Sequence, residues 1–167
     1  LNSNVRKNWQ LVVVGLDENT KKKIKKQVTN LGIERNVNLN GFVPEEDIAP
    51  LLSGAEILAF PSLSEGFGSP ILDAFEAQTA VLTSDTTSLP EVAGDAAILV
   101  DPEDSVCISN GLSRLIKDRS YRMDMINAGL SRLKQYNWHA TTQRYLQAVE
   151  AATGMIRENK SSLRKAA

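Results

Sequence analysis

The chain has 167 residues, 42% hydrophobic and 23% charged, with a formal net charge of −1, the balance of a globular domain with one sizeable core. That balance excludes the basic surface of a nucleic-acid binder, and a single cysteine, Cys107, excludes an internal disulfide and fits a reducing compartment. No run of about 18 apolar residues and no charged-then-apolar leader is present, so a cytoplasmic protein is the expectation, opening at Leu1 in mid-pattern as an excised domain would.

Taken in order, Leu11–Val14 is a β-branched run closed by Gly15, the pattern of a strand buried on both faces. Asn19 or Thr20 is placed to cap a helix with Ile24, Val28 and Leu31 on one side, ended by Gly32. Val37 and Leu39 alternate in a second strand, and Pro44 opens a short helix with Ile48, Leu51 and Leu52 inward. Ile57–Phe60 reads as a third buried strand, cut by Pro61. A loop over 62–69 leads to a helix from about Pro70 with Ile71, Leu72 and Phe75 on one face. Ala80–Thr83 is a fourth strand, followed by a polar loop and the turn Leu89–Ala93, and Ala97–Val100 is a fifth. Helices over about 104–117, 120–134 and 139–152 follow. Residues 1–152 thus form one domain, and 153–167 a helical extension or disordered tail. Strands alternating with helices predict an α/β fold, a Rossmann-like doubly wound parallel sheet with helices on both faces.

In such a sheet ligands bind beyond the carboxyl ends of the strands, which selects the loops over 15–18, 41–46, 61–69 and 84–90. The third is unusual. Ser64-Glu65-Gly66-Phe67-Gly68-Ser69-Pro70 sets two glycines directly before a helix. Glycine lets a ligand approach the backbone, and free amides at a helix N-terminus favour a phosphate. A turn that merely needs positive φ explains the glycines equally well, but not Glu65, whose carboxylate could grip two adjacent sugar hydroxyls. Asp73 lies eight residues further on, where interaction with the helix macrodipole is the plain alternative.

Glu65-Gly66-Phe67-Gly68-Ser69-Pro70-Ile71-Leu72-Asp73-Ala74 resembles the signature of glycosyltransferase family 4, in which two acids flank an E-G-F-G core. Ser88–Ala97 leading to Leu99–Pro102 resembles the segment that follows in these enzymes, and Gly41-Phe42-Val43 with Ile57–Pro61 the segment before, so the likeness runs from about Leu11 to Leu146. It implies the C-terminal half of a GT-B enzyme: a retaining transferase that binds a nucleoside-diphosphate sugar here and its acceptor on a second Rossmann-like domain, without a bound metal or other cofactor. By the same resemblance Glu65 is the catalytic candidate, contacting donor-sugar hydroxyls. Gly66, Phe67, Gly68 and Ser69 approach the sugar and diphosphate, Asp73 holds the ribose, and Phe42 and Val43 border the base. The wording of Ser88–Ala97 leans towards a GDP-mannose donor, with other hexoses and UDP-sugars open, and the acceptor would be a saccharide or a lipid-linked saccharide in polysaccharide or glycoconjugate synthesis.

Three features depart from the family pattern. Asp73 stands where glutamate is usual, Ser69 where an apolar residue is more common, and the basic pair expected for the diphosphate belongs to a strand upstream of Leu11, with Arg6 and Lys7 not fitting it. With the acceptor domain also outside the chain, no transferase activity is expected of this polypeptide alone. A non-catalytic nucleotide-binding or regulatory module is the alternative. A receiver-type signalling domain would need an acidic pair after the first strand and a later lysine, and only Asp17-Glu18 is offered. Lys21–Lys23, Lys25 and Lys26 make a basic helix face that is either solvated or drawn to anionic lipid at the inner membrane surface. His139, the only histidine, Cys107, Trp9 and Trp138 read as structural.

Overall fold

The computed structural model describes residues 9–165; for Ala140 and for 154–165 it describes the backbone only. Leu1–Leu130 and Ser131–Ala167 form two compact units. The first holds strands β1 (Leu11–Val13), β2 (Val37–Leu39), β3 (Ile57–Phe60), β4 (Ala80–Ser84) and β5 (Ala97–Val100). Between and after them come helices α1 (Glu18–Asn30), α2 (Glu45–Ser53), α3 (Ser69–Glu76), α4 (Leu89–Ala93), α5 (Ser105–Lys117) and α6 (Arg119–Leu133), the last three residues of which fall in the second unit. That unit also holds helix α7 (Trp138–Lys165), which continues through the segment expected to be an extension or a tail.

Every strand pairing is parallel, as the βα alternation predicts. The pairing falls into two groups, β1 with β2, and β3-β4-β5 with β4 in the middle. All five residues of β4 are buried. Ala80 and Leu82 join Val100 and Leu115 in a core bordered by Ile98, Ile108 and Leu112, so α5 covers one face. The approach of α5 is close: a Cβ on Gly111 would stand 2.7 Å from Leu82 Cδ1. On α3, Ile71, Ala74 and Phe75 are buried, and this helix packs on β3 and β4.

Leu11–Val14 is not buried on both faces: Leu11 is 53% and Val12 41% exposed. An apolar strand advertises a need for cover without supplying it, and β1 pairs with β2 alone while α1 contributes one buried residue, Val28. For the same reason β3, at the edge of its group, is only half-buried. The cap of α1 is Asp17 rather than Asn19 or Thr20, whose amides it receives at 2.8 and 3.0 Å. At the amino ends of the strands, buried Arg122 donates to the Leu115 carbonyl (2.6 Å) and pairs with Glu56 (3.0 Å), while its guanidinium lies over Trp9. Cys107 is half-buried against the core. His139 is exposed and its ring nitrogen meets Gln143 on its own helix, and Trp138 is 87% exposed rather than packed. No helix of the described residues is long and apolar enough to cross a membrane.

Candidate functional site

The site is built outward from the end of β4. Thr83 and Ser84 are buried polar residues, and burial without a partner would cost free energy. Thr83 Oγ1 donates to the Phe60 carbonyl (2.9 Å) and Ser84 Oγ to the Ser62 carbonyl (2.6 Å), which pins the exit of β3 to β4. The next residues continue the same contact. Thr86 Oγ1 donates to the Leu63 carbonyl (3.4 Å), the Glu65 amide donates to Thr87 Oγ1 (3.2 Å), and Ser88 Oγ reaches the carbonyls of Glu65 (3.0 Å) and Phe67 (3.1 Å). Hydroxyls from one loop thus hold the backbone of the loop that carries Glu65. Ser62 Oγ donates to Glu65 Oε1 (2.8 Å), so one carboxylate oxygen of half-buried Glu65 is engaged within its own loop.

Helix α3 begins one residue earlier than the sequence suggests, at Ser69, with Gly68 as its N-cap in the left-handed region (φ 96°, ψ 44°). A side chain there would be strained, and its Cβ would stand 2.5 Å from Leu89 Cδ2. Gly68 therefore serves both the backbone turn and the seating of α4 against α3. No side chain caps α3, Pro70 has no amide to satisfy, and the first turn holds no acid. Nothing lies within 4 Å of where a Cβ of Gly66 would be, and Phe67 and Ser69 are exposed. Three other helix starts are occupied or repellent to an anion. Asp17 caps α1, Asp104 takes the Val106 and Cys107 amides of α5, and α2 opens with Glu45, Glu46 and Asp47.

Asp73 sits exposed in the second turn of α3. Partial desolvation, then the nearby charges of Glu76 and Glu45, raise its carboxyl above the ordinary aspartate value. Glu45 begins α2, directly after the loop of Phe42 and Val43, so that loop and Asp73 belong to one neighbourhood, with Phe42 88% exposed. No described contact joins Phe42 to Glu65. Arg6 and Lys7 lie outside the described residues. Among the described residues no three His, Cys, Asp or Glu side chains gather as metal ligands would. What sequence reading passed over is the hydroxyl run Ser84, Thr86, Thr87 and Ser88. Its signal was a loop with four hydroxyls in five positions, too common a composition to be assigned a partner.

Residues 1–132 match the family described as glycosyl transferases group 1. The chain belongs to that family. It is 40% identical over 108 residues to O-antigen chain mannosyltransferase B of Escherichia coli, a match covering 65% of this chain and 28% of that protein. Among solved structures it resembles the C-terminal domain of a group 1 family protein from Francisella tularensis (27% identity, TM-score 0.70), covering 77% of this chain and 70% of that one. HepE of Anabaena, solved with UDP and glucose, shares the fold (TM-score 0.76, 22% identity), with 85% of this chain and 40% of that one covered. The fold is thus the Rossmann-like half of a GT-B glycosyltransferase. The chain spans under a third of the length of the mannosyltransferase it matches.

Proposed function

We propose that this chain is the donor-binding half of a retaining glycosyltransferase, which takes a hexose from a nucleoside-diphosphate sugar to a saccharide or lipid-linked acceptor held by a second domain. The observation that carries the reading is the open start of α3, a helix N-terminus with no side-chain cap, a left-handed glycine and a carboxylate beside it. The diphosphate lies at the start of α3 beside the Gly68 and Ser69 amides, the Ile71 amide being bonded to the Gly68 carbonyl, and the partial positive charge of the helix end meets it there. Glu65 accepts hydrogen bonds from sugar hydroxyls, Asp73 from the ribose, and Phe42 and Val43 border the base. As the bond from sugar to phosphate breaks, negative charge grows on the leaving diphosphate, and amides already aimed at it stabilise that charge without reorganising. The mannosyltransferase names among its relatives favour GDP-mannose, and the UDP bound to HepE keeps uridine donors in view.

Titration of the protein with GDP, UDP, GDP-mannose and UDP-glucose tests this. One of the diphosphates binds, its sugar-linked form binds more tightly, and Glu65→Ala removes the added affinity of the sugar, about tenfold or more for lost hydrogen bonds to a charged group. Absence of binding to all four ligands would return the chain to a non-catalytic module.

A further inference from the structure

Among the described residues, two other than glycine hold positive φ, Gln78 at 58° and Thr87 at 55°. Gln78 has an ordinary reason. It follows the end of α3, and the Gln78 and Thr79 amides return to the Phe75 and Ala74 carbonyls, a left-handed helix termination. Thr87 has no helix to terminate. It stands two residues before α4, and as a β-branched residue it fits the left-handed region worse than almost any other side chain. A strained residue persists where its surroundings over-determine it, and such positions gather at functional sites. Here the surroundings are visible. Ser84 and Thr86 fasten the preceding part of the loop to the Ser62 and Leu63 carbonyls, and Ser88 fastens the following part to Glu65 and Phe67. Ser88 is the N-cap of α4, yet its hydroxyl serves the neighbouring loop and not its own helix. The left-handed turn at Thr87 delivers its Oγ1 to the Glu65 amide.

We infer that Thr87 is a positioning residue for the donor sugar: its strained backbone places a hydroxyl that fixes the Glu65 backbone and so sets the aim of the Glu65 carboxylate. The inference rests on the donor-binding reading above. The mechanism is separable from general stability. Glycine at 87 is at ease in the left-handed region, so Thr87→Gly keeps the turn and loses only the acceptor for the Glu65 amide. Thr87→Ser keeps that acceptor. Ser62 still holds Oε1 and Ser88 still holds the Glu65 carbonyl in both variants, so Thr87→Gly removes one of three tethers on Glu65 and Thr87→Ser removes none.

The test is the ratio of affinities for GDP-mannose and GDP, or for UDP-glucose and UDP if the protein binds uridine nucleotides, by calorimetry on this same chain. Thr87→Gly is expected to lower the ratio about fivefold to tenfold, the effect of one lost hydrogen bond, with affinity for the bare diphosphate within twofold and Tm unchanged or higher. Thr87→Ser is expected to restore the ratio. A Gly variant with an unchanged ratio, or one that loses both affinities equally, overturns the role of Thr87 while leaving the donor-binding reading in place. An unsubstituted chain that binds neither diphosphate overturns both.

Discussion

Helices α1 and α3 both follow a strand and a glycine-bearing loop at the carboxyl edge of the fold, and they treat their free amides in opposite ways. At α1, Asp17 receives the Asn19 and Thr20 amides and the Thr20 hydroxyl, so the helix end is complete within the chain. At α3, the N-cap is Gly68, which has no side chain to give, and the end stays open beside Glu65. A capped helix start gains stability and has nothing left for a ligand; an uncapped one forgoes that stability and keeps its amides for an outside acceptor. Strand-to-helix loops of the same architecture thus divide into capped and uncapped members according to one residue. The acids of the first turn reinforce the division, since Glu18 begins α1 and Glu45, Glu46 and Asp47 begin α2, while α3 has none.

The comparison can be broken most forcefully at Gly68. Gly68→Ala forces a Cβ into a left-handed residue and against Leu89, and the combined strain and overpacking should cost about 2–4 kcal/mol. Denaturant unfolding measures that loss, and titration of any folded remainder should show nucleotide binding abolished. A variant as stable as the parent would mean that α4 is not seated on this glycine.

Asp73 should give a smaller and two-sided effect. Its carboxyl is raised by desolvation and then by Glu76 and Glu45, so its contribution to stability is present below the ordinary aspartate value and lost as pH rises through the raised folded value. Asp73→Asn is therefore expected to raise Tm slightly at neutral pH, to make no difference once both states are protonated at about pH 3 or below, and to weaken nucleotide binding by losing the ribose acceptor. Asp73→Glu should tighten binding. Thermal melts across pH, paired with calorimetry, separate the two effects, and a Glu variant that binds more loosely would remove the ribose role.

Asp17 should give the smallest effect on binding. Its hydrogen bonds, the Thr20 hydroxyl first, hold its carboxyl below the ordinary value, so its contribution is present above that value and fades as pH falls through the lowered one. Asp17→Ala is expected to lower Tm at neutral pH and to leave diphosphate affinity unchanged. A fall in affinity equal to that of Asp73→Asn would erase the distinction between the two helix starts.

Much of the fold was legible because its signals are local. Val37, Leu39, Ile57–Phe60, Ala80–Thr83 and Ala97–Val100 carry strand patterns, and Gly32, Pro44 and Pro70 punctuate the helices through their own dihedral preferences. The Glu65–Asp73 stretch was legible for a similar reason, since a turn, an acid and a helix start are contiguous in the chain. The misreadings each involve a second partner. Leu11–Val14 is apolar enough to be buried, but burial depends on what stands opposite, and β1 has only β2. Asn19 and Thr20 are good cap residues in isolation, yet Asp17 reaches their amides first.

By itself, then, the sequence determined the order of strands and helices, the parallel pairing that βα alternation imposes, and the place of the acid and glycines before α3, because each depends on dihedral preference and on apolar period over a few residues. Only the tertiary structure decided that the loop after β4 holds the loop after β3 through the hydroxyls of Ser84, Thr86, Thr87 and Ser88, that Gly68 must lack a side chain because Leu89 is there, and that the charge of Glu45 helps to raise the Asp73 carboxyl. Those contacts join residues some twenty or more positions apart, and a hydrogen bond or a steric limit of that kind exists only after folding has brought its two ends together.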